Sequence, residues 1–302
     1  MPSVQHQFLA RAVPRIRRSS EVDDPAQVWR EKLAEQAKAS TAPPHRLVHG
    51  CEVATIDGYG FPVHDLRVAG TVPTRTLLYL HGGGYVSHAD RAHWKYVVTL
   101  AQQLGLRVVF PVYPLAPEHS WRDSHPQLLA LFAQVAIESP HGVVLAGDSA
   151  GGGLALGVAE QLARRAGPQP THVVLHSPWV DVTNAAPGTE AASVRDPWLK
   201  LSRMRLYAEW WAAGEDQTRP ELSPLYGDLT GLPPTLMFCG TLDTLYPQCR
   251  ELADRGRTQG WDLTYVEQPD LLHVYPILPV PEAKQAMATT VAFLAQTPER
   301  SR

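Results

Sequence analysis

Hydrophobic and polar positions change rhythm several times along the chain. The segments CEVATIDG (51–58) and FPVHDLRVAG (61–70) alternate apolar with polar residues, the period of half-buried antiparallel strands. Compact apolar runs follow: RTLLYL (75–80), LRVVFPV (106–112), GVVLAG (142–147), THVVLHS (171–177), PTLMFCG (234–240) and DLTYVE (262–267). These are short, rich in β-branched residues and bounded by turn residues. They predict strands buried on both faces, as in a parallel sheet.

Helical spacing fills the gaps. Val97, Leu100, Ala101 and Leu104 share a face and Gly105 supplies a stop; Leu154, Val158 and Leu162 repeat at four, ahead of Gly167; Met287, Thr290, Val291 and Leu294 form a last stripe. Two antiparallel strands followed by repeated strand–helix units predict one mostly parallel, eight-stranded α/β sheet with helices on both faces.

Two parts break the alternation. Residues 1–45 are polar and helical in pattern, with VWREKLAEQAK the clearest piece, and residues 185–223 insert PWLKLSRMRLYAEWWAAGED between strands. The insertion carries Trp198, Tyr207, Trp210 and Trp211, more aromatics than a connecting helix needs. Ligand sites in such sheets lie beyond the carboxyl ends of the strands, so these parts predict a helical cap over that edge. The core is then 46–184 with 224–302. Near the start, Arg11, Arg15, Arg17 and Arg18 faintly resemble a transit peptide, but Phe8, Leu9, Val13 and Ile16 suit an amphipathic helix belonging to the fold.

Composition narrows the class. With 302 residues, 44% hydrophobic and 19% charged, the chain has the make-up of a soluble globular domain with a large core. A net charge of −3 without a basic stripe excludes nucleic acid and anionic membranes as expected partners, and no run reaches the length of a membrane span. Three cysteines, an odd number without a C-x-x-C pair, predict a reducing, cytoplasmic setting. None of the 13 histidines has a metal-ligand spacing, so neither metal nor cofactor is expected.

The chemistry-bearing motif is GDSAG, residues 147–151, a G-x-S-x-G between an apolar strand and a helical stripe. There the chain must turn sharply, with Ser149 strained at the tip and glycines where strand and helix approach. A serine hydroxyl needs a base, the base an orienting acid, and the oxyanion needs donors. In chain order Ser, acid, His, these fall on Asp243, just after a strand, and His273, after the last strand; Asp270 is the weaker alternative acid. Upstream, His81-Gly82-Gly83-Gly84 follows a buried strand. Three consecutive glycines are expected where bare backbone must approach something, here an oxyanion shared with the N–H of Ala150. His81 reads as a structural support for that loop.

HGGG (81–84), YPLAPEH (113–119), GDSAGGG (147–153), the Asp of GTLDTLY and the His of LLHVYP together resemble the hormone-sensitive-lipase-like group of α/β-hydrolases, of bacterial carboxylesterase type. The resemblance spans roughly residues 45 to 297. It implies a serine carboxylesterase working through an acyl-enzyme, with a cap built from N-terminal helices and an insertion after the sixth strand. It also implies that Gly83 and Gly84, with Ala150, supply the oxyanion donors. Two departures stand out: DTLYPQ replaces the usual D-P-L-x-D-E around the acid, and SWRDSHP replaces P-F-P-A after YPLAPEH.

The substrate expected is a small-molecule ester of short-to-medium acyl length. Its pocket is expected near Tyr85, Asp148, Trp210 and Trp211. An amidase or deacetylase on the same triad, or a non-catalytic receptor of the same fold, are the alternatives, and a homodimer is left open.

Overall fold

The computed structural model describes residues 1–16 and 20–296; Arg17, Arg18 and the last six residues lie outside the described residues. Eight strands form one sheet: β1 (Cys51–Ile56), β2 (Val63–Val68), β3 (Thr76–Leu80), β4 (Arg107–Pro111), β5 (Val143–Asp148), β6 (His172–His176), β7 (Thr235–Leu242) and β8 (Leu263–Leu272). Their order across the sheet is β1-β2-β4-β3-β5-β6-β7-β8. The pairs β1–β2 and β2–β4 are antiparallel and the remaining pairs parallel, as expected of the two alternating segments, but their burial does not alternate: the edge strand β1 is largely exposed and β2 is buried from Val63 to Leu66.

From β3 to β7 the apolar runs are continuous because both sheet faces are covered; β8, expected to be buried on both faces, is instead an edge strand, half-buried or exposed until Leu271. Successive residues take opposite faces. Leu78, Leu80, Val143, Leu145, Val173 and Leu175 join one core, and Leu77, Tyr79, Val108, Phe110, Val144 and Val174 join the other. Helices α3 (Arg91–Leu104) and α9 (Pro281–Leu294) cover the second face; α4 (Trp121–Ile137), α5 (Ser149–Ala163) and α8 (Tyr246–Thr258) cover the first. Asp90 caps the start of α3, and Gly105 ends it in the left-handed conformation at φ 64°.

The sequence reading needs three further adjustments. Helix α4 begins inside the SWRDSHP stretch. The Asp123 carboxylate accepts from both the N–H and the hydroxyl of Ser120 and so starts the helix; Pro126, inside it, had hidden the pattern. Strand β8 continues past Glu267 through Pro269 to Leu272, which an edge strand tolerates because one side of it has no ladder to break. Helix α1 (Val4–Ile16) forms, but buries Val13 and His6 and exposes Phe8 and Ile16. His6 takes the inner position because its Nε2 accepts the Leu272 N–H at 2.9 Å.

Three further helices, α2 (Pro25–Lys38), α6 (Thr189–Arg195) and α7 (Leu201–Ala212), lie in the two segments expected to form a cap. The Asp24 side chain caps α2. Gln36 on α2 donates to the carbonyls of Val86 and Ala116, both at 2.8 Å, and Trp29 meets Trp210 of α7 edge to face at 5.3 Å.

Candidate active site

At the end of β5 the chain reverses into α5 with Ser149 at φ 51°, a strained value for a residue with a side chain. The turn is possible because its neighbours lack side chains. A Cβ on Gly147 would collide with the Gly151 and Leu80 carbonyls, and one on Gly151 with the carbonyls of Leu80 and His81. The Trp179 N–H then fixes the Ser149 carbonyl at 2.8 Å.

The hydroxyl faces a base. His273 Nε2 lies 2.9 Å from Ser149 Oγ, and its Nδ1 lies 2.9 Å from Asp243 Oδ2. All three residues are buried, and Asp243 is fixed further by the Leu245 N–H on its other oxygen at 2.9 Å. Burial disfavours the imidazolium, but the Asp243 charge and hydrogen bond outweigh it and raise the His273 pKa above 6.5. Asp270 is exposed and its backbone bonds Thr241, so the alternative acid does not reach the imidazole.

The glycine loop lies opposite. Gly83 is held at φ 125° and Gly84 at φ 63°, and a Cβ on Gly83 would strike the Ser87 carbonyl. Ala150 is in the first turn of α5, whose N–H groups have no partner within the helix. His81 is stacked on Tyr113 at 4.5 Å, and its carbonyl accepts the Tyr113 hydroxyl at 2.6 Å. Burial lowers the His81 pKa to about 3, so it is neutral and serves as a structural wedge.

Asp148, next to the serine, supports the loop from beneath. Its carboxylate accepts the Gly82 N–H (3.0 Å) and the Tyr79 hydroxyl (2.7 Å), and pairs with His93 Nε2 at 3.2 Å. A Cβ on Gly82 would overlap that carboxylate. His93 Nδ1 meets Asp90 Oδ1 at 3.1 Å. The Asp90 N–H donates to the same Nδ1 at 2.9 Å, completing the cap of α3. Burial opposes the charged imidazole, but Asp148 and Asp90 beside it raise its pKa to about 10.

Residues 77–277 match a family model described as alpha/beta hydrolase fold. The chain belongs to the alpha/beta hydrolase fold family. An acetyl-hydrolase of Streptomyces hygroscopicus is 34% identical over 73% of the chain and 75% of that protein. A triacylglycerol lipase of Mycobacterium tuberculosis is 33% identical over 66% of the chain, which spans only 41% of that lipase. A solved esterase of the bacterial hormone-sensitive lipase family superimposes with a TM-score of 0.82 at 28% identity, covering 98% and 99% of the two chains. The hydrolase thus falls in the hormone-sensitive-lipase-like group.

A cavity of about 360 Å³ opens over Ser149 in this α/β hydrolase. Its walls include Gly83, Gly84, Asp148, Trp179, Trp198, Leu199, Met204, Tyr207, Leu245 and His273, with Lys32 and Glu35 of α2 at the cap side. Of the four expected pocket residues only Asp148 is among its walls. Tyr85 and Trp211 are stacked on each other at 4.3 Å in the core, and Trp210 packs between Trp29 and Tyr207, joining α2 to α7. Adjacent residues on a helix are turned about 100° from each other, so Trp211 enters the core while Trp210 meets Trp29 of α2. Sequence reading missed His93 and Asp196; each acts through partners distant in the chain, and only the Asp-Pro helix end at 196–197 gave a local sign. A larger cleft of about 800 Å³ lies between α6 and α8, but its walls hold no serine–histidine pair. Among the described residues no helix is long and apolar enough to cross a membrane, and no cluster of three metal-ligating side chains occurs.

Proposed function

We propose that this chain, a carboxylic ester hydrolase of the esterase/lipase type, cleaves short-to-medium acyl esters through an acyl-enzyme on Ser149. What carries the reading is the unbroken relay of two 2.9 Å hydrogen bonds from Asp243 through His273 to Ser149. His273 Nε2 takes the hydroxyl proton as Oγ attacks the ester carbonyl. Asp243 keeps the proton on Nδ1 and stabilises the imidazolium. That imidazolium then protonates the departing alkoxide, and a water repeats the cycle on the acyl-enzyme. The N–H groups of Gly83, Gly84 and Ala150 are assigned to the developing oxyanion, each worth about 3 kcal/mol by analogy with other such donors.

The size of the cavity supports the acyl limit. At about 360 Å³ it is near the small end for ligand sites. Each buried methylene adds about 0.8 kcal/mol only until the apolar wall of Trp198, Leu199 and Met204 is filled. Relatives named acetyl-hydrolase and, from Pseudomonas putida, ethyl acetate hydrolase favour a small acyl group as well. A cytoplasmic setting belongs to the same proposal, supported by three cysteines that are all free. All the groups invoked come from one chain, so a homodimer would add nothing to the chemistry.

The test is an ester series with a fluorophosphonate probe. We expect one probe per chain at Ser149 and a rate that rises and then falls with acyl length. Best turnover on emulsified long-chain triglyceride, with a jump at the solubility limit, overturns the acyl assignment.

A further inference from the structure

We propose that Asp196 is a positioning residue of this site, fastening the cap to the turn that bears Asp243 and holding Trp198 against the His273 imidazole. The proposal rests on the Ser149–His273–Asp243 reading above. Asp196 ends helix α6 and is 1% exposed. One carboxylate oxygen accepts the N–H groups of Trp198 (2.7 Å) and Leu199 (3.1 Å). The other accepts the N–H (2.8 Å) and hydroxyl (2.9 Å) of Thr244, the residue next to Asp243. A single side chain therefore ties the segment entering α7 to the turn after β7.

The tie reaches the reacting groups on both sides. The Trp198 ring stands at 88° to the His273 ring, with centroids 5.5 Å apart. Trp198 and Leu199 are also walls of the cavity. Moving the segment would thus uncover the imidazole and reshape the acyl pocket together.

Charge gives Asp196 a second effect. Three of its four partners are backbone N–H groups, which can only donate, so the geometry suits the ionised form. All four partners are neutral, and burial together with the nearby Asp243 pushes the Asp196 pKa up. Holding an unpaired carboxylate there is unfavourable unless something gains from it. The group that gains is His273, which is faced by the carboxylates of Asp243, Asp196 and Asp148. A negative charge on the cap side favours the imidazolium formed when the serine proton is taken.

Asp196→Asn keeps the shape, removes the charge and sets an amide N–H₂ against donors. We expect kcat/KM for p-nitrophenyl acetate to fall about 10- to 100-fold, and the acid limb of its pH profile to move down by about 0.3 to 1 unit. Trp198→Leu keeps the carboxylate; it should lower kcat/KM at least about 5-fold and leave the limb in place, a split set by the geometry above. Fluorophosphonate titration normalises each rate to competent Ser149. An unmoved limb in Asp196→Asn, or full activity in Trp198→Leu, overturns the proposal; the second arm decides if Asp196→Asn does not fold. Absence of Ser149 labelling in the unaltered protein instead overturns the triad reading, a separate result.

Discussion

Two buried histidine–aspartate pairs flank Ser149, and they do different work. In His93–Asp148 the imidazole meets a carboxylate at each ring nitrogen, Asp148 at 3.2 Å and Asp90 at 3.1 Å. There Nδ1 also accepts the Asp90 N–H at 2.9 Å, so both nitrogens are held by fixed structural partners. In His273–Asp243 only Nδ1 meets the acid, at 2.9 Å, while Nε2 meets the serine hydroxyl. The second nitrogen is the difference: in one pair it is taken up by the cap of α3 beneath the glycine loop, and in the other it faces a hydroxyl, as the proposed base must. Proximity of His and Asp alone does not mark catalysis, and the partner of the far nitrogen does.

The comparison breaks most sharply at the nucleophile. Ser149→Ala or His273→Ala should lower ester turnover by about 10⁶ with the fold retained, read by steady-state kinetics beside circular dichroism. Substantial turnover by purified Ser149→Ala would remove the relay from the mechanism. Asp243→Asn should cost about 10⁴ in kcat because it favours the wrong imidazole tautomer. Asp270→Asn, altering an exposed carboxylate, should stay within about twofold, a surface-substitution effect. Reversal of those two results would reassign the acid.

The other pair should respond in stability. His93→Gln leaves Asp148 buried without its cation, a change that costs about 3 to 5 kcal/mol in comparable pairs. Thermal unfolding measures it. The sign with pH follows from His93 being raised from 6.5 to about 10: its stabilisation is full below 6.5 and is lost as pH climbs toward 10. The unaltered protein should therefore lose Tm between neutral pH and pH 10 by more than His93→Gln does. An equal loss in both would mean the ring is neutral.

The smallest effect sharpens the active pair. Burial opposes and Asp243 favours the His273 cation, with the net pKa above 6.5, so kcat/KM should rise with pH along a limb centred above that value. A limb below 6, or none between pH 5 and 9, would argue against the His273 assignment.

How much of this was legible in the sequence depended on the range of each cause. The elbow at 147–151 and the strand runs are local, because neighbouring residues impose the collision or the two-sided burial. Asp243 and His273 were found by combining the serine–acid–histidine chain order that goes with such an elbow with their places just after the last two strands. Asp196 and His93 were not legible, since what makes them matter is a partner 48 residues away for the first and 55 for the second. Trp210 and Trp211 read as pocket residues because sequence shows aromatic content and not which neighbour each ring meets. Helix α4 was obscured by Pro126, although its Ser120–Asp123 start was present.

The attachment of α2 bears on the order of synthesis. Gln36 leaves the ribosome before either carbonyl it will bond, and the later one, Ala116, lies 80 residues downstream. At about 5 to 20 residues per second that is on the order of ten seconds of translation, and Trp29 waits longer still for Trp210. A segment made early must therefore stay available, unclaimed by other contacts, until the sheet beneath it exists. Its sparse burial, with Val28 its one buried residue, suits a piece that docks late and by a few directional bonds.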